Sequence, residues 1–135
     1  MMLCFIAISC TSKAKTLNQK LDTNENRYEA RSWLRENAHI SALAGNRFSS
    51  KKEAIDFVES LYSAGATTVY VTNIFDEDWR LKEEGGPYAD TIIVELPSDL
   101  VKRASLIKIM NEEIENEGFE PVSDTGQKEI TLWWD

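Results

Sequence analysis

Apolar positions along the chain change period several times, and each change predicts an element. Tyr28, Arg31, Leu34 and Ala38 share one helical face, with Trp33 widening it, which predicts a helix over residues 26–38. Residues 39–48 are ambiguous: Ile40, Ala42 and Ala44 alternate with Ser41 and Leu43, a weak strand signal that stops at the turn pair Gly45-Asn46. Ser50 followed by Glu53 is a capping-box pair. Ala54, Phe57, Val58, Leu61 and Tyr62 then repeat at helical spacing, and Gly65 is suited to end that helix. Residues 67–74 are rich in β-branched side chains and uncharged, which predicts a strand. Residues 75–88 read as a long polar loop, and residues 90–96 as a second strand closed by Pro97. Ser98 is the expected cap of a helix running to about Glu117, with Leu100, Val101, Ala104, Ile107, Met110 and Ile114 as its apolar positions and Gly118 at its end. Residues 121–127 form a turn region and residues 128–134 the last strand.

Counting residues 40–48 as a strand gives the order βαββαβ. That is an α+β ferredoxin-like plait, an antiparallel sheet with two helices on one face, here preceded by an extra N-terminal helix. Strand alternation sends Val69, Val71, Ile92, Val94, Leu96, Ile130, Leu132 and Trp134 toward the helices. It leaves Tyr70, Ile93 and Trp133 together on the open face, with Thr72, Thr91, Glu95 and Thr131 around them. An apolar patch of this kind calls for a cover. The helix carrying Tyr28, Trp33 and Leu34 is the expected lid; a homodimer, a partner protein or a small ligand are the alternatives. Arg47-Phe48, a helix, Gly65-Ala66 and a valine-rich strand together resemble small bacterial ferredoxin-like proteins such as the regulator of ribonuclease activity B, in arrangement only. The resemblance carries no functional motif.

The chain has 135 residues, enough for one domain, here residues 26–135. Its net charge is −8, and the sign is unevenly divided. Up to Phe75 there are nine basic and seven acidic residues; from Asp76 on there are six and sixteen. That balance argues against a nucleic-acid backbone; the acidic half is either a solvated face that keeps the chain soluble or a surface that speeds encounter with a basic partner. Aromatics on a plait's sheet face can stack RNA bases, but no Lys or Arg accompanies these, apart from Lys128 at the edge.

The first nine residues are apolar and uncharged, too short to cross a membrane and shaped like a secretory signal. Ala7-Ile8-Ser9-Cys10 resembles the lipobox of bacterial lipoproteins, which implies lipidation of Cys10 and an envelope location. It departs from that pattern in having Ala7 where Leu is usual and no basic residue ahead of the apolar run. Residues 10–25 are polar and read as a tether between anchor and domain. Membrane contact through the lipid anchor alone is implied.

Candidate chemistry is sparse. The only two cysteines, Cys4 and Cys10, fall in the first ten residues, and His39 is the sole histidine. No nucleophile motif is present, and Asp124-Thr125-Gly126 reads as a turn rather than half of an aspartic protease site. No cofactor is implied. Asp76, Asp78, Glu83 and Glu84 are weak calcium candidates whose spacing does not match an EF-hand. Trp79, beside Asp78 and Arg80, is a candidate binding anchor, and Gly85-Gly86-Pro87 is placed to orient Tyr88. The expectation is a non-catalytic envelope lipoprotein that binds a protein, such as an immunity-type or inhibitory protein. A cytosolic regulator of the same fold and a divalent-cation or small-ligand binder are the alternatives.

Overall fold

The computed structural model describes residues 27–134. Eight elements follow in order: β1 (Tyr28–Glu29), α1 (Ala30–Glu36), α2 (Lys51–Ala64), β2 (Thr68–Phe75), α3 (Asp78–Glu84), β3 (Tyr88–Glu95), α4 (Leu100–Asn116) and β4 (Glu129–Trp133). The class is α+β, with the four strands joined antiparallel in the order β1-β2-β3-β4.

This sheet is a meander, which differs from the predicted plait order. The segment expected as its first strand contributes one parallel bridge, Leu43 to Ala89. Ala44 adopts a left-handed backbone there (φ 43°), which stops a regular strand from continuing. Ala42, Leu43 and Ala44 are nonetheless all buried, while Ile40 is exposed. The sheet takes its edge strand from Tyr28–Glu29 instead, two residues that helical spacing assigns to the first helix.

Local signals explain the best-defined elements. Ser50 Oγ accepts the Glu53 N–H (3.2 Å) at the start of α2, and Gly65 ends it at φ 117°. Only glycine takes that conformation without strain. Asp99, not Ser98, caps α4 by accepting the Lys102 N–H (2.9 Å). The later cap and two buried charges correct the expected stripe of α4. Arg103, Leu106, Ile107, Met110 and Glu113 face inward, and Leu100, Val101 and Ala104 lie in solvent.

One core occupies the helix side of the sheet. Leu34, Val58, Leu61, Leu106 and Met110 meet Val69, Val71, Ile92, Val94, Leu132 and Trp134 there. Trp134 is packed edge-on by Phe48 and Phe57. Its indole N–H donates to Glu113 (3.0 Å), which also takes a two-pronged bond from Arg47 (2.7 and 2.9 Å). Burial opposes the Glu113 charge, but Arg47 and the indole together hold the carboxyl below its ordinary range. On the same side, α1 lies against α2 through Arg31 and Arg35, which share the Glu59 carboxylate. The α1 helix therefore is not the lid of the open face. Its Leu34 belongs to the main core.

Candidate functional site

The sheet has a second, smaller apolar cluster on the face away from the helices. Ile93 is buried at 1% exposure, with Tyr70 and Trp133 packed against it. Strand parity places these three together as predicted, because Tyr70 pairs with Ile93 and Thr91 with Trp133. Two described residues outside the sheet reach this patch. The Arg27 guanidinium lies 5.0 Å from the Tyr70 ring centre and forms a two-pronged pair with Glu129 (both 3.2 Å). Phe119 tilts against Trp133 at 5.9 Å. The Trp133 indole N–H donates to Asp90 (3.3 Å), whose carboxylate also accepts from Asn73 and Thr91. Ile93 is thus buried on this face, while Tyr70 and Trp133 stay partly exposed beside Arg27 and Phe119.

The connection between β2 and β3 is built differently. It is not the extended polar loop that composition suggests, because α3 forms within it. Glu77 precedes this helix in an extended conformation, and Gly85 ends it in the left-handed region (φ 88°). Gly86 is required by close packing: a Cβ there would lie 2.2 Å from the Asn37 side-chain oxygen. Asn37 staples the connection by donating to the Pro87 carbonyl (2.9 Å) while accepting the His39 N–H (2.9 Å). The α3 helix therefore sits fixed at the sheet end formed by Phe75 and Tyr88.

Arg80 organises this end. It bonds Glu77 (2.8 Å) and Glu84 (2.9 Å), one to either side. Its guanidinium lies 4.5 Å from the Trp79 ring centre, 5.7 Å from Phe75 and 5.5 Å from Tyr88. The ion pair with Arg80 holds Glu77 below the usual carboxylate range. The Tyr88 hydroxyl accepts the Gly45 N–H (3.0 Å), so this candidate residue serves the fold. His39 is buried beneath the same helix. Its Nδ1 accepts the Ser41 N–H (3.0 Å), which puts the neutral ring's proton on Nε2, 3.3 Å from Glu84 but not aligned for a hydrogen bond.

What remains outward is Trp79, half exposed, and Leu81, 42% exposed, among Asp76, Asp78 and Glu83. The calcium candidates Asp76, Asp78, Glu83 and Glu84 are not gathered around one point. Among the described residues no group of three or more His, Cys, Asp or Glu side chains is placed to hold a metal ion. Asp124-Thr125-Gly126 is a turn: Asp124 accepts the Gly126 N–H (3.0 Å) and is bound by Arg103, which lowers its pKa to about 2. Among the described residues no helix is long and apolar enough to cross a membrane. Cys10, the predicted lipidation site, lies outside the described residues.

Sequence reasoning missed Arg80 as the organiser and Leu81 as an exposed neighbour of Trp79. Arg80 was detectable, since Glu77 and Glu84 stand three and four residues away, the spacing of helical ion pairs. No family model, curated protein or solved structure matches the chain.

Proposed function

We propose that the chain is a non-catalytic lipoprotein of the bacterial cell envelope whose domain binds a basic protein partner. The observation that carries the binding half of this reading is an acidic pole. The β2–β3 connection and the C-terminal end of α4 point the same way, because Glu113 near that end of α4 bonds Trp134 beside the last residues of β4. Asp76, Asp78 and Glu83 lie exposed on the first, and Glu112, Glu115 and Glu120 on or just beyond the second. A helix C-terminus is itself partly negative, and α4 has no basic residue in its last turn. Such a concentration of one sign speeds encounter with a partner of the opposite sign.

The anchor half rests on Ala7-Ile8-Ser9-Cys10 and the polar residues that follow it. The parallel Leu43–Ala89 bridge is the one feature that favours a plait-like relationship, since a plait's first strand runs parallel beside its third, although here β4 takes the rest of that side of β3. Mass spectrometry of the native protein tests the anchor directly. The expected species begins at an acylated Cys10, and recovery of an intact Met1 from the soluble fraction overturns the lipoprotein reading. Binding of a basic protein that weakens with added salt is expected of the domain, and salt-independent binding overturns the electrostatic part.

A further inference from the structure

We propose that the outer side of α3, centred on Trp79 and Glu83, is the contact point for an arginine or lysine side chain of that basic partner. The proposal rests on the reading of the domain as an acidic binding module and assigns it a specific place. Trp79 and Glu83 are four residues apart on α3, the spacing that assigns two side chains to one helix face. An aromatic face next to a carboxylate offers a cation two attractions at once, to the ring quadrupole and to the charge.

Three features separate this spot from a merely acidic surface. The indole is held in place, because Arg80 lies against it and is itself clamped by Glu77 and Glu84. A pre-positioned anchor loses little freedom on binding. The ring is still half exposed, although a tryptophan is among the side chains most costly to leave in water. Finally, Asp78 and Glu83 take part in no ion pair among the described residues, whereas Glu77 and Glu84 share the single positive charge of Arg80. The free carboxylates Asp78 and Glu83 outnumber the one exposed lysine of this helix, Lys82, so the helix that carries the half-exposed ring stays net acidic. A second copy of the chain is a poor occupant, since each carries a net charge of −8.

The test uses the full chain and a synthetic peptide of alternating glycine and arginine, titrated by calorimetry at low and at moderate salt. Trp79→Ala is expected to weaken binding at least ~10-fold, with Trp79→Phe recovering part of the loss. Glu83→Gln is expected to weaken it roughly 3- to 5-fold, and Glu115→Gln, on the exposed side of α4, less than about 1.5-fold. Circular dichroism of each variant verifies the fold. Equal losses for Glu83→Gln and Glu115→Gln, or an unchanged affinity in Trp79→Ala, overturn the assignment of this spot while leaving a generally acidic binding module standing. Absence of binding even at low salt overturns both. Self-association of the chain that Trp79→Ala abolishes gives the surface to a second copy and also overturns the proposal.

Discussion

The β2–β3 connection and the α4–β4 connection look alike in sequence, being polar, glycine-containing and acidic, yet each uses its arginine differently. Arg103 reaches out of α4 and is buried by the 121–127 segment, where it donates to Asp124, to the Pro97 and Gln127 carbonyls and to the Gln127 side chain. Asn111 adds a matched pair of bonds to the Val122 backbone. These bonds pin the 121–127 segment to α4, while Glu120 just ahead of it stays exposed. Arg80 instead belongs to the connection itself and pulls only two of its carboxylates inward. The contrast separates a loop pinned by an arginine from outside it from one that holds its own arginine and keeps an aromatic ring at the surface.

The largest effect that tests this contrast is expected at Arg103. Arg103→Ala would strand the Pro97 and Gln127 carbonyls and the Asp124 carboxylate and release the 121–127 segment, lowering Tm by roughly 10 °C in thermal denaturation followed by circular dichroism. Arg103→Lys should recover only a small part, because a single ammonium cannot reproduce the planar fork that spans Asp124 and Gln127. A near-native Tm for either variant would mean that this connection is no more committed to the fold than the other.

A smaller effect should appear on acidification. Arg103 lowers the Asp124 pKa from the ordinary 3.8 to about 2, so the unfolded chain takes up this proton first as pH falls. The stabilisation from Asp124 is therefore complete above about pH 4 and is lost as pH drops toward 2. Glu113 and Glu59 are shifted in the same direction and steepen the loss. Asp124→Asn should flatten the acid limb of a stability profile measured by urea unfolding. At the alkaline end the sign reverses. Burial and the nearby Glu29 raise the Tyr62 pKa to about 12, so its contribution holds below pH 10 and fades as pH climbs through 12. Tyr62→Phe should remove that fade.

The legibility of the fold follows the same division. The α2 helix could be read because its stop and start signals, Ser50 and Gly65, act within a few residues. The inward and outward sides of β2, β3 and β4 could be read because a period of two leaves no choice once one residue is buried. The α4 stripe was misread where Arg103 and Glu113 are buried as charges, since their partners Asp124 and Arg47 lie 21 and 66 residues away. The α3 helix was missed because seven residues give barely two turns and its inward residue is an arginine. Strand order was the least legible, because the pairing of Tyr28 with Val71 is set by long-range packing and leaves no local mark. Trp79 stood out in the sequence as an aromatic among charges. Its fixation by Arg80 could be seen only once Phe75, Trp79 and Tyr88 were brought together.

Within the β2–β3 connection the two arms of the Arg80 clamp can be separated from the ring they support. Arg80→Ala would leave Glu77 and Glu84 facing each other without a cation and remove the contact beneath Trp79. A fall in Tm of roughly 4 °C is expected, together with a red shift of the Trp79 emission as the indole swings into water. A Trp79→Ala comparison resolves how much of the total emission change belongs to this ring.

Trp79→Ala itself should be the mildest of these substitutions for stability. The ring is 50% exposed, against 1% for Trp134, and among the described residues it makes no hydrogen bond. Truncating an exposed side chain away from buried networks typically costs within about 0.5 kcal/mol, so Tm should move by no more than roughly 2–4 °C. Truncating Trp134 would open a cavity among Phe48, Phe57 and Leu132 and cost about 3–5 kcal/mol. The comparison of the two tryptophans by thermal denaturation therefore asks the structural question in its simplest form. If Trp79→Ala destabilises the chain as severely as the loss of Trp134, the ring is a strut of the β2–β3 connection, and its half-open position has a mechanical cause. If the chain loses almost nothing, the exposed indole is not explained by folding, and its retention at the acidic pole is left to what it contacts outside the chain.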